Sequence, residues 1–163
     1  MGLTRLNNLY RQVILDHAQH PRNKQLLDDY SEQIELLNPT CGDAITIRFK
    51  LEADKISAIG FVGSGCSISM ASASMMTEAV KGKTHQEAMA LIRGFNYLVG
   101  GTQVAPIDEE SLGDASLLEG VKQFPARYKC AVLAWRALEL GLDNAIELEE
   151  GLTMGQASEK ESE

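Results

Sequence analysis

Histidine, cysteine and clustered positive charge are all scarce in this chain, and each scarcity narrows what it can be. There are three histidines, none set beside a nucleophile as a base, which disfavours a cysteine hydrolase. No basic stripe breaks a sequence of formal charge −8, so nucleic-acid binding is disfavoured. No apolar run approaches the roughly 18 residues of a membrane span. The first residues mix Arg5, Asn7, Asn8 and Arg11 with apolar side chains and contain no signal-peptide core. A cytoplasmic protein with no membrane association is expected. A C-x-x-C knuckle, a phosphate-binding glycine loop and an internal repeat are also missing. The chain has three cysteines, and so small an odd set in a reducing compartment points to metal binding or reactivity more than to disulfides.

What is present fits one globular domain. The 163 residues are 44% hydrophobic and 23% charged, enough to bury a core. From Asp143 onward, seven carboxylates face Lys160 alone, so most of the negative charge belongs to the end of the chain. The reading is a single domain over 1–142 and an acidic, partly disordered tail over 143–163.

Periodicity supplies the elements. Leu6, Leu9, Tyr10, Val13, Ile14 and His17 recur at helical spacing over 3–19, and Pro21 stops that helix. A short strand is expected over 33–38. Alternation over 44–51 puts Ile45, Ile47, Phe49 and Leu51 on one face. Over 55–62 it sets Ile56, Ala58, Gly60 and Val62 against Ile59 and Phe61, and Glu52-Ala53-Asp54 joins the two runs as a hairpin. A helix should follow Cys66, capped by Ser64 or Ser67, with Ile68, Ala71, Met75, Met76 and Ala79 as its stripe and Lys81-Gly82-Lys83 at its end. Its Ala71-Ser72-Ala73-Ser74 run would allow close approach to the sheet. Thr84-His85-Gln86-Glu87 is a capping box for a helix reaching about Leu98, with His85 solvated. Gly100-Gly101 breaks it, and a looser segment with short helical turns follows. A final helix runs from about Pro125 to Leu140, buries Ala131, Leu133, Ala134, Ala137, Leu138 and Trp135, and stops at Gly141. The order predicts an α+β fold: a small antiparallel three-stranded sheet packed against helices, with an N-terminal helix.

The cysteines sit where this topology matters. Cys41 and Asp43, two apart in extended chain, point the same way, and Gly42 permits a tight turn between them. They precede one strand of the hairpin, and Cys66 follows the other. Antiparallel pairing therefore brings Cys66 toward Cys41 and Asp43 across 23 residues of sequence. Cys66 at a helix start, and Cys130 in the first turns of the last helix, both sit in a field that favours thiolate. Arg127 adds a positive charge near Cys130. Three thiolates and a carboxylate suit tetrahedral Zn²⁺, and iron–sulfur ligation by the same residues is also chemically open. Lys122, Arg127 and Lys129 could form a basic rim. His17 and His20 read as packing or helix-end residues.

These motifs resemble a known family. Tyr10 through Asp16-His17, Pro21-Arg22-Asn23, Asn38-Pro39-Thr40-Cys41-Gly42-Asp43, Gly63-Ser64-Gly65-Cys66-Ser67-Ile68-Ser69 and Cys130 are together similar to the U-type iron–sulfur cluster assembly proteins, the group of IscU, SufU and the N-terminal part of NifU. The likeness is nearer to the SufU type. Lys129 stands where IscU-type members carry histidine, and residues 95–125 resemble the SufU-type insertion. The resemblance implies zinc held by Cys41, Asp43, Cys66 and Cys130. It implies Cys41 as acceptor of persulfide sulfur from a SufS-type cysteine desulfurase, Arg127 as an aid to exchange or docking, and downstream iron–sulfur assembly or apo-proteins as recipients. The alternative it leaves open is a scaffold on which a transient iron–sulfur cluster is assembled and passed on.

Overall fold

In the computed structural model, the backbone is described for residues 2–40 and 42–151, and side chains within 8–146. Cys41 and the acidic end beyond Gly151 lie outside the described residues. Helix α1 spans Gly2–Gln19, followed by strands β1 (Glu32–Asn38), β2 (Asp43–Glu52) and β3 (Lys55–Ser64). Helices α2 (Ser67–Val80), α3 (His85–Leu98) and α4 (Glu109–Leu112) come next. Two 3₁₀ segments, Gly113–Gln123 and Pro125–Arg127, then lead into α5 (Tyr128–Gly151). The sheet is antiparallel in the order β1-β2-β3, as its alternating sequence requires. Among the described residues no helix is long and apolar enough to cross a membrane.

The core lies between one sheet face and the helices. Ile45, Ile47 and Phe49 of β2 are buried together with Ile56, Ile59 and Phe61 of β3. Strict alternation would put Ile56 on the opposite face from Ile59 and Phe61. The pairing shows why it does not: Lys50 opposes Ala58 while Leu51 opposes Ile56, so Ser57 is an extra residue. This bulge changes the parity of the strand and returns Ile56 to the core. The hairpin turns on Ala53 and Asp54, both at positive φ (52° and 67°), which matches the twist of a two-residue connection. The outer border of β3 is closed by main chain from elsewhere. Phe61 N–H donates to the Asn23 carbonyl, and Ile56 N–H to that of Lys83.

The stretch Asp16-His17…Pro21-Arg22-Asn23 is a structural latch. His17 is buried, with Nδ1 2.8 Å from Ser74 Oγ and Nε2 2.9 Å from Asp114 Oδ2. Arg22 N–H donates to Ser74 Oγ, and Asn23 Nδ2 to Thr77 Oγ1. Arg22 also bonds Asp16 at 2.7 Å and holds its carboxyl below the usual range. One motif thus joins α1, α2, the first 3₁₀ segment and β3. Of the predicted α1 stripe, Ile14 is buried but Leu9 is 50% exposed.

Helix α2 is the central helix, buried from Ser69 to Thr77 without a break. It packs chiefly on α1 and α5, so the small residues Ala71–Ser74 admit helices more than the sheet. The expected capping box at Thr84 and Glu87 is present in both directions. His85, expected in solvent, is half-buried, with Nε2 3.1 Å from the Leu142 carbonyl.

Helix α5 corrects the expectation most. The last helix does not stop at Gly141 but runs on to Gly151, so 143–151 continue the helix that packs on β1 and β2. Gly141 is there because the sheet is close: a Cβ on it would lie 2.6 Å from Phe49 Cε2 and 3.1 Å from Ile34 Cγ1. Gly141→Ala should therefore destabilise the fold. Overpacking costs about 1–3 kcal/mol, against a helix-propensity gain of about 0.5–1 kcal/mol. A lowered urea midpoint with unchanged m-value checks this. An exposed helix glycine would instead give a gain.

Candidate metal centre

Three of the four residues singled out from the sequence converge. Asp43, Cys66 and Cys130 each present a ligand atom, and these atoms lie within 4.8 Å of one another. Three elements meet to do this. Asp43 is the first residue of β2, Cys66 follows β3, and Cys130 is the third residue of α5. β2 and β3 pair with Ala44 opposite Ser64, which brings Asp43 to Cys66 as the hairpin topology demands.

Burial is graded across the site. Cys130 is fully buried, Asp43 is 1% exposed, and Cys66 is half-buried. Cys66 is itself the N-cap of α2, with no side-chain cap bond, where Ser64 or Ser67 was expected. The reason is that Asp43 reaches across: its Oδ1 accepts the Cys66 N–H at 3.0 Å. A carboxylate from another strand thus satisfies a backbone donor at the helix start, and the aligned amides favour the negative charge gathered there. Asn38 Nδ2 approaches Asp43 Oδ2 at 3.4 Å. Ser69 Oγ donates to the Cys66 carbonyl at 3.0 Å and lies 3.7 Å from Cys66 Sγ.

Glycine makes room for this. A Cβ on Gly65 would sit 2.3 Å from Asp43 Oδ1 and 2.6 Å from Ser69 Oγ. Gly42, at φ +73°, makes the turn before β2, with its N–H on the Asn38 carbonyl at 2.8 Å. The role of Gly65 in making room for Asp43 was not read from the sequence. The acid two residues before β2's apolar alternation was the available signal.

The donor set fits a tetrahedral cation. Zn–S bonds of about 2.3 Å place sulfurs about 3.8 Å apart around one ion, which a cluster of ligand atoms all within 4.8 Å of one another can accommodate. Soft thiolates with one carboxylate favour zinc or iron over magnesium or calcium. Arg127 lies in the 3₁₀ turn just before α5, exposed, as is Lys129. Lys122 is exposed and paired with Glu119 at 3.3 Å.

Residues 9–142 match the family model described as the NifU-like N-terminal domain. The chain is 50% identical over 137 residues to the zinc-dependent sulfurtransferase SufU of Bacillus subtilis, covering 84% of this chain and 91% of that one. It is also 50% identical over 139 residues to the iron–sulfur cluster assembly scaffold protein IscU of Streptococcus pyogenes, covering 85% and 86%. Among solved structures it is similar to one from Fervidobacterium islandicum described as an iron–sulfur cluster assembly scaffold protein for the SUF system. That match has a TM-score of 0.73 and 33% identity, over 80% of this chain and 93% of that one.

Proposed function

Since the chain belongs to the family of NifU-like N-terminal domains, we propose that it is a zinc-dependent sulfur acceptor in iron–sulfur cluster biogenesis, taking sulfur from a cysteine desulfurase onto Cys41. The observation that carries this is the convergence of Asp43, Cys66 and Cys130, with Cys41 two residues before Asp43 in the chain. Cys41 completes a set of three thiolates and one carboxylate. Bound zinc would keep thiolates deprotonated without changing its own oxidation state.

The chain's residues divide the work. Cys130 is fully buried and Cys66 is half-buried at a helix cap, positions suited to holding a cation. Cys41 is the nucleophile. Its thiolate attacks the terminal sulfur of the desulfurase persulfide. The new S–S bond forms on Cys41 as the old one breaks, and the desulfurase cysteine leaves as thiolate with no net oxidation. Arg127, exposed just ahead of α5, stands where it can meet an anionic group on the partner. The cytoplasm supplies the reducing setting in which such thiols persist, and downstream assembly proteins or apo-proteins receive the sulfur.

A zinc-replete preparation should carry one zinc per chain. After incubation with a pyridoxal-phosphate cysteine desulfurase and free cysteine, it should gain one sulfur atom on the peptide containing Cys41. A preparation that holds no zinc, or sulfur found on Cys66 or Cys130 instead, overturns the assignment. The equal identity to an IscU scaffold favours a second reading, in which a transient cluster forms on the same ligands. A coloured cluster that survives reconstitution and moves to an apo-protein would establish that role.

A further inference from the structure

Two of the metal-site cysteines lie on separate helices, and a single hydroxyl ties those helices together. Ser72, fully buried on α2, donates from Oγ to the Ala131 carbonyl at 2.6 Å. The same Oγ accepts the Trp135 Nε1–H at 2.9 Å. Trp135 is fully buried too, and stacks on Phe95 with centroids 4.1 Å apart and planes 9° from parallel. The hydroxyl therefore has its donor and an acceptor site both used, in a region sealed from solvent.

The placement of these contacts matters. Ser72 is six residues along α2 from Cys66 at its cap, and Ala131 is the residue after Cys130. Each helix is internally rigid through its own hydrogen-bond ladder. A short bond from Ser72 to the carbonyl next to Cys130 thus sets how far the first turn of α5 stands from α2. The indole N–H, held in place by its ring stack, fills the hydroxyl's acceptor site.

We propose that Ser72 is a positioning residue for the metal centre: its bridge to Ala131 fixes the separation of the Cys66 and Cys130 thiols at the distance one cation requires. This rests on the zinc reading above. Ser72 Oγ bonds the Ala131 carbonyl and the Trp135 indole, and acts through the main chain of Ala131. Direct hydrogen-bond partners of metal ligands change metal affinity by about 10–100-fold when lost, and a main-chain support one residue from a ligand is expected at the lower end of that range.

The test measures zinc affinity by competition with a chromophoric chelator, and the ligand-field spectrum of the cobalt(II)-substituted chain, in wild type, Ser72→Ala and Trp135→Phe. Ser72→Ala is expected to weaken zinc binding about tenfold or more and to change the cobalt band shape. Trp135→Phe keeps the Ser72–Ala131 bond. It should lower the stability of the metal-free chain while weakening zinc binding far less than Ser72→Ala does, because the Ser72 hydroxyl still donates to the Ala131 carbonyl. If Ser72→Ala does not fold, the double variant Ser72→Ala/Trp135→Phe removes the orphaned indole donor and is measured in its place. Equal loss of stability with and without metal, at unchanged zinc affinity and cobalt spectrum, overturns the proposal and makes the contact purely structural. A wild-type chain that binds neither zinc nor cobalt overturns the zinc reading itself, and the positioning role with it.

Discussion

Cys41→Ser should take up no sulfur from a cysteine desulfurase, even where it retains zinc. The attack on a persulfide needs a thiolate, which is both ionised and soft. A serine hydroxyl is neither near neutral pH, so the rate should fall to background. Metal binding should suffer less, because Asp43, Cys66 and Cys130 still place three donor atoms within 4.8 Å. The variant therefore separates the nucleophile from the metal site. Intact mass after incubation with desulfurase and cysteine reads the first, and zinc stoichiometry the second. Sulfur loading at the wild-type rate in Cys41→Ser would move the acceptor to another cysteine. Cys130 is a poor candidate for that, since it is fully buried and a partner's persulfide cannot reach it without α5 moving.

Gly65→Ala should weaken zinc binding without replacing any ligand residue. The added methyl would lie 2.3 Å from Asp43 Oδ1 and 2.9 Å from Asp43 Cγ, separations that atoms do not tolerate. Asp43 is nearly sealed from solvent and is held by the Cys66 N–H. To make room, its carboxylate must rotate away from that donor and from the two thiols. The N–H of half-buried Cys66 then loses its partner, at a cost of about 0.5–1.5 kcal/mol. Zinc affinity should drop by about 10–100-fold, the usual scale for a disturbed support of a ligand. Competition with a chromophoric chelator measures the loss, and circular dichroism checks that the helices persist. Wild-type affinity in Gly65→Ala would mean that Asp43 is no ligand.

The legible and illegible parts of this sequence differ in range. The strands could be read because Ile45, Ile47 and Phe49 alternate against one core. The start of α3 could be read because Thr84 and Glu87 satisfy each other's main-chain groups within four residues; the bond from the Thr84 N–H holds the Glu87 carboxyl below its usual range. The convergence of Asp43 with Cys66 followed from strand polarity, and the family motifs added the role expected of Cys41. What could not be read depended on partners distant in sequence. Gly141 looks like a helix stop until Phe49 is known to press on it. Cys66 looks in need of a serine cap until Asp43 arrives from β2. Ile56 takes its face from a bulge whose register is set by β2. His85 seems solvated until α5 continues far enough to offer the Leu142 carbonyl.

With Asn23 and Lys83 occupying the border of β3, strand-by-strand growth into a fibre has only the β1 side to use. There a second copy would have to bring its own Glu32 and Glu35 alongside those already present, and like charges set against each other resist that pairing. The border of the sheet thus works against edge-to-edge aggregation of the folded chain.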